Sequence, residues 1–176
     1  MEVEPLSRYA EHKVHGEQIL LQSGLATILR LFNVYGSSGP NGKGVVSRFM
    51  QAVQTNSPLQ IAGDGSQMRD FVYMTDIVRA FLLGIEHEGF TKSDIFNIGT
   101  GSPSSIRELA TLVLNVTASN APLLDVTSPK GEVRHSWADS RKAELTLQFK
   151  AKIGLEQGLR QITSIYEGKG NLKASR

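Results

Sequence analysis

Tyr9 and Lys13 stand four residues apart in the run Tyr9-Ala10-Glu11-His12-Lys13, close to the start of the sequence. Residues at that spacing on a helix share one face, so the Lys13 ammonium can lie beside the Tyr9 phenol and stabilise its anion. A neighbouring cation brings a phenol of pKa about 10 into use as an acid or base nearer neutrality. The same pair on a solvated helix face also arises by chance, and spacing alone leaves both readings open. Arg69 and Arg134 are of the residue type that meets phosphate oxygens with two parallel hydrogen bonds; surface pairing with Asp70 or Glu132 is the alternative. The four histidines have no ligand spacing, so no metal site is expected and His12 is expected in solvent.

Two glycine-rich stretches invite a phosphate-binding reading. Gly99-Thr100-Gly101-Ser102-Pro103-Ser104 follows a strand-like segment and precedes a helix, but its third glycine is missing. Pro103 with Ser105-Ile106-Arg107-Glu108 reads more simply as a helix start with a capping box. In Gly36 to Gly44, Ser37 and Gly44 break both ends of a phosphate-loop pattern, and the segment reads as a substrate-side loop.

The elements that must position these residues alternate between helix and strand. A helix is expected over Tyr9 to Ser23, with Val14, Ile19, Leu20 and Leu21 as its apolar stripe and Gly24 as its stop. Residues 26–31, 59–62, 94–98 and 123–127 read as strands, and Asp64-Gly65 as a turn. Further helices are expected over 45–54, 77–86, 106–116, 141–146 and 155–166. Within 77–86, Val78, Phe81, Leu82 and Ile85 recur at helical spacing and are expected to face the core.

Composition narrows the function class. With 176 residues, 40% apolar, the chain can bury one core, and no apolar run approaches the length of a membrane span. A formal charge of +2 on scattered basic residues gives no footprint for nucleic acid. The absence of cysteine removes disulfides and thiolate chemistry, and no signal-peptide pattern opens the sequence, so a cytoplasmic protein is expected. One domain over 1–167 with a polar tail over 168–176 is the expected organisation.

Several motifs in order resemble the extended short-chain dehydrogenase/reductase family, the NAD-dependent nucleotide-sugar epimerases and dehydratases. They are the Tyr9 to Lys13 run, Leu29-Arg30-Leu31-Phe32-Asn33-Val34-Tyr35-Gly36, Gly63-Asp64-Gly65 with Arg69-Asp70-Phe71-Val72-Tyr73, Phe96 to Gly101, and Gly131 to Ser136 with Ala138-Asp139. The resemblance is to the C-terminal portion of that family, closest to UDP-hexose or UDP-N-acetylhexosamine 4-epimerases. It implies an α/β fold: the C-terminal part of a Rossmann-type parallel sheet plus a small α/β substrate-binding domain, with the first Rossmann half absent. It implies Tyr9 as acid/base on a sugar hydroxyl and Lys13 as the group that lowers its pKa and bonds the cofactor ribose. Phe32 is implied near the nicotinamide and Asn33 near the sugar diphosphate, with ordinary core packing as the other reading of Phe32. Gln60 and Ala62 fall on the strand that passes the uracil, and Arg69, Arg134 and Lys130 fall around the diphosphate.

Lys130 supplies charge without a bidentate fork, and Phe149-Lys150 stands where relatives tend to have Gly-Trp. NAD is the implied family cofactor, but the missing opening unit leads to the expectation of a truncated protein that keeps a nucleotide-sugar half-site and is inactive alone. The alternative is an active UDP-sugar 4-epimerase or dehydratase subunit, its NAD-binding half supplied in trans by a partner or oligomer. Self-association through the strand at 26–31 and the helix at 9–23 is a further expectation.

Overall fold

The computed structural model describes residues 5, 8–24, 26–36, 42, 44–89, 93–128, 131 and 133–171, the side chains of 165–171 excepted. The chain enters helix α1 (Arg8–Gln22), reverses, and runs through β1 (Thr27–Leu31) into β2 (Asn33–Tyr35). Helix α2 (Val45–Gln54), β3 (Leu59–Ala62), β4 (Met68–Arg69) and β5 (Phe71–Tyr73) follow, then α3 (Met74–Glu86) and β6 (Asp94–Ile98). The remaining elements are β7 (Ser104–Ser105), α4 (Ile106–Val116), β8 (Leu123–Val126), β9 (His135–Ser136), α5 (Arg141–Leu147) and α6 (Leu155–Asn171). The longer expected elements agree with these bounds to within a few residues. The short strands β2, β4, β5, β7 and β9 lie below the length at which a two-residue period can be read from a sequence.

Three pairs are parallel: β1 with β6, β2 with β5 and β3 with β8. Strand β4 pairs antiparallel with β7 and parallel with β9. The pairing gives strand 26–31, expected as an edge for self-association, a partner within the chain on one side. β1 is paired on one edge along Thr27 to Leu31 by Asp94 to Ile98, a partner delivered from later in the chain by a helical crossover, as parallel pairing requires.

Two apolar clusters meet on β5. Phe71 and Tyr73 face the cluster built from Tyr35, Phe49, Met50, Leu59, Ile61, Leu109, Val113 and Leu159. Val72, pointing the other way by the two-residue period of a strand, joins Ile77, Ala80, Phe96, Ile98, Leu147 and Phe149. Phe149 is fully buried, with the Arg79 guanidinium 5.3 Å from its ring centroid, so this departure from the family pattern fills core volume.

Two apolar stripes do not face the core as expected. On α3 the buried face is Asp76, Ile77 and Ala80, whereas Val78, Phe81, Leu82 and Ile85 are exposed. The spacing was right for a helix face, but the sheet takes the neighbouring face, which carries the small Ala80 and lets the helix approach closely. Helix α1 has no buried residue, and Ile19 and Leu20 are exposed. Its tie to the sheet is polar: Arg30 Nε and Nη2 donate to Glu17 Oε1 and Oε2 at 2.8 and 2.5 Å.

Candidate functional site

The turn after β3 builds one wall of a cleft. Gly63 and Gly65 both have positive φ, 59° and 73°, a conformation glycine adopts without a Cβ penalty. A Cβ on Gly65 would lie 2.7 Å from Ile61 Cγ2 and 3.0 Å from Arg107 Cβ, so the turn is also too tightly packed for a larger residue. Asp64 Oδ1 accepts from the Ser66 backbone N–H at 3.0 Å and from its hydroxyl at 2.7 Å. These bonds, with the Arg134 charge adding to them, hold the Asp64 carboxyl below the usual carboxylate range. Arg107 locks the outside of the turn, its Nε donating to the Asp64 carbonyl at 2.8 Å.

The cleft encloses about 330 Å³ and is lined by Ala62, Gly63, Asp64, Ser66, Gln67, Ser128, Gly131 and Arg134. It offers a guanidinium on one side and a string of small and hydroxyl-bearing residues on the other. That combination suits an anionic group held at Arg134 beside a flat or hydroxylated body. Of the residues expected at the diphosphate and uracil, Ala62 and Arg134 are brought together here. Gln60 lies exposed on β3, one residue before Ile61, and is not in the lining. Lys130 lies outside the described residues. Asp64, Ser66, Gln67 and Ser128 were not singled out as binding residues; the Asp-x-Ser pattern after a strand was the available signal for Asp64 and Ser66.

Arg69 is not in this lining, and its Nη1 donates to the Met68 carbonyl at 2.8 Å. It stands in register with Ser136 of β9, two residues along from Arg134. Beside it, Asp70 is wholly buried. The Asp70 carboxylate accepts from Thr100 N at 2.9 Å, Thr100 Oγ1 at 2.5 Å, Gly101 N at 3.0 Å and Ala138 N at 3.1 Å. The Gly99-Thr100-Gly101 turn is thus an anion-binding nest whose anion is the protein's own carboxylate. A Cβ on Gly99 would fall onto Asp70 Oδ2 and Ala138 Cβ, which accounts for that glycine. The following helix carries the expected capping box: Glu108 N donates to Ser105 Oγ at 3.0 Å and Ser105 N to Glu108 Oε2 at 2.8 Å.

Tyr9 and Lys13 share one face of α1. The Lys13 ammonium is 5.6 Å from the Tyr9 ring centroid, and Tyr9 is 72% exposed, so its phenol is open to a ligand. Glu17 on α1 pairs with Arg30 on β1. From Glu17 back to Tyr9 the helix rises about 12 Å, and from Arg30 on to Asn33 the strand advances about 10 Å. Since the chain reverses between the two elements, the ion pair brings Tyr9 to roughly the level of Asn33 along the layer. Asn33 is fixed by its N–H and its side-chain amide, both donating to the Asp70 carbonyl at 2.9 and 3.3 Å. Phe32 is half-buried and packs against the second cluster, in line with the core reading of that ring. His12 is exposed, and among the described residues no group of His, Cys, Asp and Glu could hold a metal ion. No helix among them is long and apolar enough to cross a membrane.

Known proteins share the sequence pattern and the fold of this chain. The family model described as "NAD dependent epimerase/dehydratase family" matches residues 1–99. A UDP-glucose 4-epimerase from Mycolicibacterium smegmatis is 33% identical over 178 residues, covering 96% of this chain and 56% of its own length. A UDP-glucose 4-epimerase from Thermotoga maritima, solved with UDP-glucose, superposes on 97% of this chain and 59% of its own with a TM-score of 0.85 and 32% identity. A UDP-glucuronic acid 4-epimerase from Bacillus cereus, solved with UDP-glucuronic acid and NAD, covers 96% of this chain and 55% of its own with a TM-score of 0.88 and 28% identity. The chain spans about half the length of the curated relatives it matches.

These matches overturn the picture of a decayed remnant. Solved epimerases follow the path of nearly the whole chain over 55–59% of their own length, so the expectation of a truncated, inactive protein with a partner half supplied in trans gives way to that of a chain that keeps the family's fold along its length. Where only the last part of a Rossmann sheet was expected, the chain carries the parallel pairs β1–β6, β2–β5 and β3–β8 with the substrate-side elements, along the path of those folds over 55–59% of their length.

Proposed function

This chain belongs to the NAD-dependent epimerase/dehydratase family, and we propose that it binds a UDP-sugar in the cleft beside Arg134 and takes part in NAD-dependent chemistry at the sugar, 4-epimerisation being the first reading and dehydration the second. The observation that carries the proposal is the cleft itself, where Arg134 lines one space with the small residues Ala62 and Gly63, the hydroxyls of Ser66 and Ser128, and the Asp64 carboxylate. Support for 4-epimerisation comes from relatives of that activity with identities of 30% and above.

In this reading Arg134 and Arg69 bind the diphosphate, with Lys130 adding charge. Backbone groups along Gln60 to Ala62 meet the uracil. Asn33, held by two bonds to the Asp70 carbonyl, orients the sugar end. Tyr9 holds or moves the proton at the reacting hydroxyl, and Lys13, on the same helix face, stabilises the phenolate and bonds the cofactor ribose. Bound NAD would supply the acceptor and donor of hydride. Its nicotinamide side would be met by the exposed Tyr9 phenol and Lys13 ammonium, which stand on one helix face, while Phe32 packs into the second cluster. The turn at Gly99 to Gly101 is not a pyrophosphate cradle, since its N–H groups are already taken by Asp70.

Turnover of UDP-glucose with NAD⁺, compared between the wild type and Tyr9→Phe, tests the proposal. Loss of a positioned acid/base should lower turnover by about 10²–10⁴-fold with UDP-glucose affinity unchanged. Equal turnover in the two proteins, or no turnover by the wild type, would reject the role given to Tyr9.

A further inference from the structure

The buried Asp70 carboxylate does not face the cleft, and the chemistry proposed above does not use it. We propose that Asp70 is a positioning residue that sets Arg69 and Arg134 at the spacing a nucleotide diphosphate requires; the inference rests on the UDP-sugar reading and names what aligns its two cations.

The argument starts from the ladder between β4 and the segment that carries Arg134. Met68 N donates to the Arg134 carbonyl at 2.8 Å, and Asp70 N donates to the Ser136 carbonyl at 3.1 Å. Ala138 N then donates to Asp70 Oδ2 at 3.1 Å. Contacts therefore recur at 134, 136 and 138, and at the third position the acceptor is a side chain. That side chain is anchored in turn by Thr100 and Gly101, so the ladder ends on a carboxylate fixed from two directions. On the other edge of β4, Arg69 stands opposite Ser104, the residue before the capping Ser105.

A diphosphate held by two arginines is sensitive to their separation, because bidentate geometry tolerates little displacement. Among the described residues the Arg134 segment is held to β4 by the backbone bonds at 134 and 136, and Asp70 adds the third contact at 138; the Arg134 side chain itself is exposed. Loosening Ala138 from Asp70 removes the last of the three contacts that set the register of that segment on β4. Asp70→Asn is the sharpest perturbation, since an amide offers one acceptor oxygen and turns an NH₂ toward N–H donors. Thr100→Val is milder: it removes the Oγ1 bond to Asp70 together with the Oγ1 contacts to Ser102, and leaves the backbone donors at 100 and 101 in place.

The experiment compares UDP with uridine, titrated calorimetrically into the wild type, Asp70→Asn, Thr100→Val, Arg69→Ala and Asp70→Asn/Arg69→Ala. A role in aligning the arginines predicts that Asp70→Asn weakens UDP by at least about tenfold while uridine changes less than about twofold, and that the salt dependence of UDP binding flattens. Thr100→Val should shift the UDP-to-uridine ratio in the same direction by less. Adding Arg69→Ala to Asp70→Asn should cost little more than Asp70→Asn alone. If the wild type prefers UDP and both Asp70→Asn and Thr100→Val keep that preference, the positioning role is wrong and the UDP-sugar reading stands. Uridine weakened in parallel with UDP shows a general structural role and also overturns the inference. A wild type that does not prefer UDP to uridine overturns the UDP-sugar reading and this inference together. Should Asp70→Asn fail to fold, Thr100→Val decides by the same ratio.

Discussion

Gly158 lies in the interior of α6, where alanine is ordinarily the better residue by about 1 kcal/mol. In this fold we expect the opposite sign. A Cβ at Gly158 would be 2.8 Å from Tyr35 Cζ and 2.9 Å from Tyr73 Cδ2, and would overlap Tyr35 Oη. The Tyr35 ring has no room to withdraw. It is 5% exposed and packs edge-on against Tyr73 at 5.3 Å and Phe71 at 6.4 Å. Its hydroxyl donates to the Leu155 carbonyl at 3.3 Å, which fixes the ring against the first turn of the same helix. Overpacking of this kind costs about 1–3 kcal/mol, and displacing the hydroxyl forfeits about 1 kcal/mol more. After subtracting the helix gain, Gly158→Ala should destabilise by about 1–3 kcal/mol, which for a chain of this size lowers Tm by roughly 3–10 °C. Thermal unfolding followed by circular dichroism reads this directly. Tyr35→Phe removes the worst overlap, so Gly158→Ala should cost less in that background than in the wild type. A Tm equal to or above that of the wild type in Gly158→Ala alone would refute the packing argument.

Asp76 is buried and accepts from Lys152 N and Ile153 N at 2.9 Å and from Arg79 Nη2 at 2.8 Å. Asp76→Ala should therefore destabilise by about 3–5 kcal/mol in urea unfolding, far more than an exposed carboxylate. Burial first, with the neighbouring Tyr73 and Asp76 adding to it, raises the Tyr35 phenol well above its ordinary value. The folded state keeps this proton where the unfolded chain loses it, so the contribution is full below pH about 10 and falls away as pH rises beyond it. Tyr35→Phe should flatten that alkaline loss of stability, as measured by unfolding between pH 9 and 11. Glu17→Gln removes one partner of the Arg30 pair, the described tie of α1 to β1, and should cost about 1 kcal/mol while increasing hydrogen exchange along α1.

The longer elements were legible because their periods are long enough to read, and so was the capping box at Ser105 and Glu108, whose chemistry is local. The face that each helix turns to the sheet was not legible on α3. Val78, Phe81, Leu82 and Ile85 make the more apolar stripe, yet the buried face is that of Asp76, Ile77 and Ala80, which periodicity does not distinguish. Likewise the glycines at 99 and 101 could be ranked only against phosphate loops. That their occupant is Asp70, some thirty residues earlier, depends on the β4 pairing, which two-residue strands do not announce. That Tyr9 and Lys13 share one helix face was legible from their spacing, whereas a chemical role for them came only from the resemblance. Their level against Asn33 follows from Glu17 meeting Arg30, a contact across a reversal of the chain. Arg134 and Ala62 were named through resemblance, while the Asp64 to Gln67 wall between them emerged only once the turn after β3 was folded.

Titration of UDP-glucose into the wild type, Arg134→Ala and Arg141→Ala tests the central claim most directly, because Arg141 is an exposed arginine already paired with Asp139 outside the cleft. The account predicts binding by the wild type, a loss of about tenfold or more in Arg134→Ala, and no change in Arg141→Ala. Equal affinity in Arg134→Ala and the wild type, or no binding by the wild type, would contradict it.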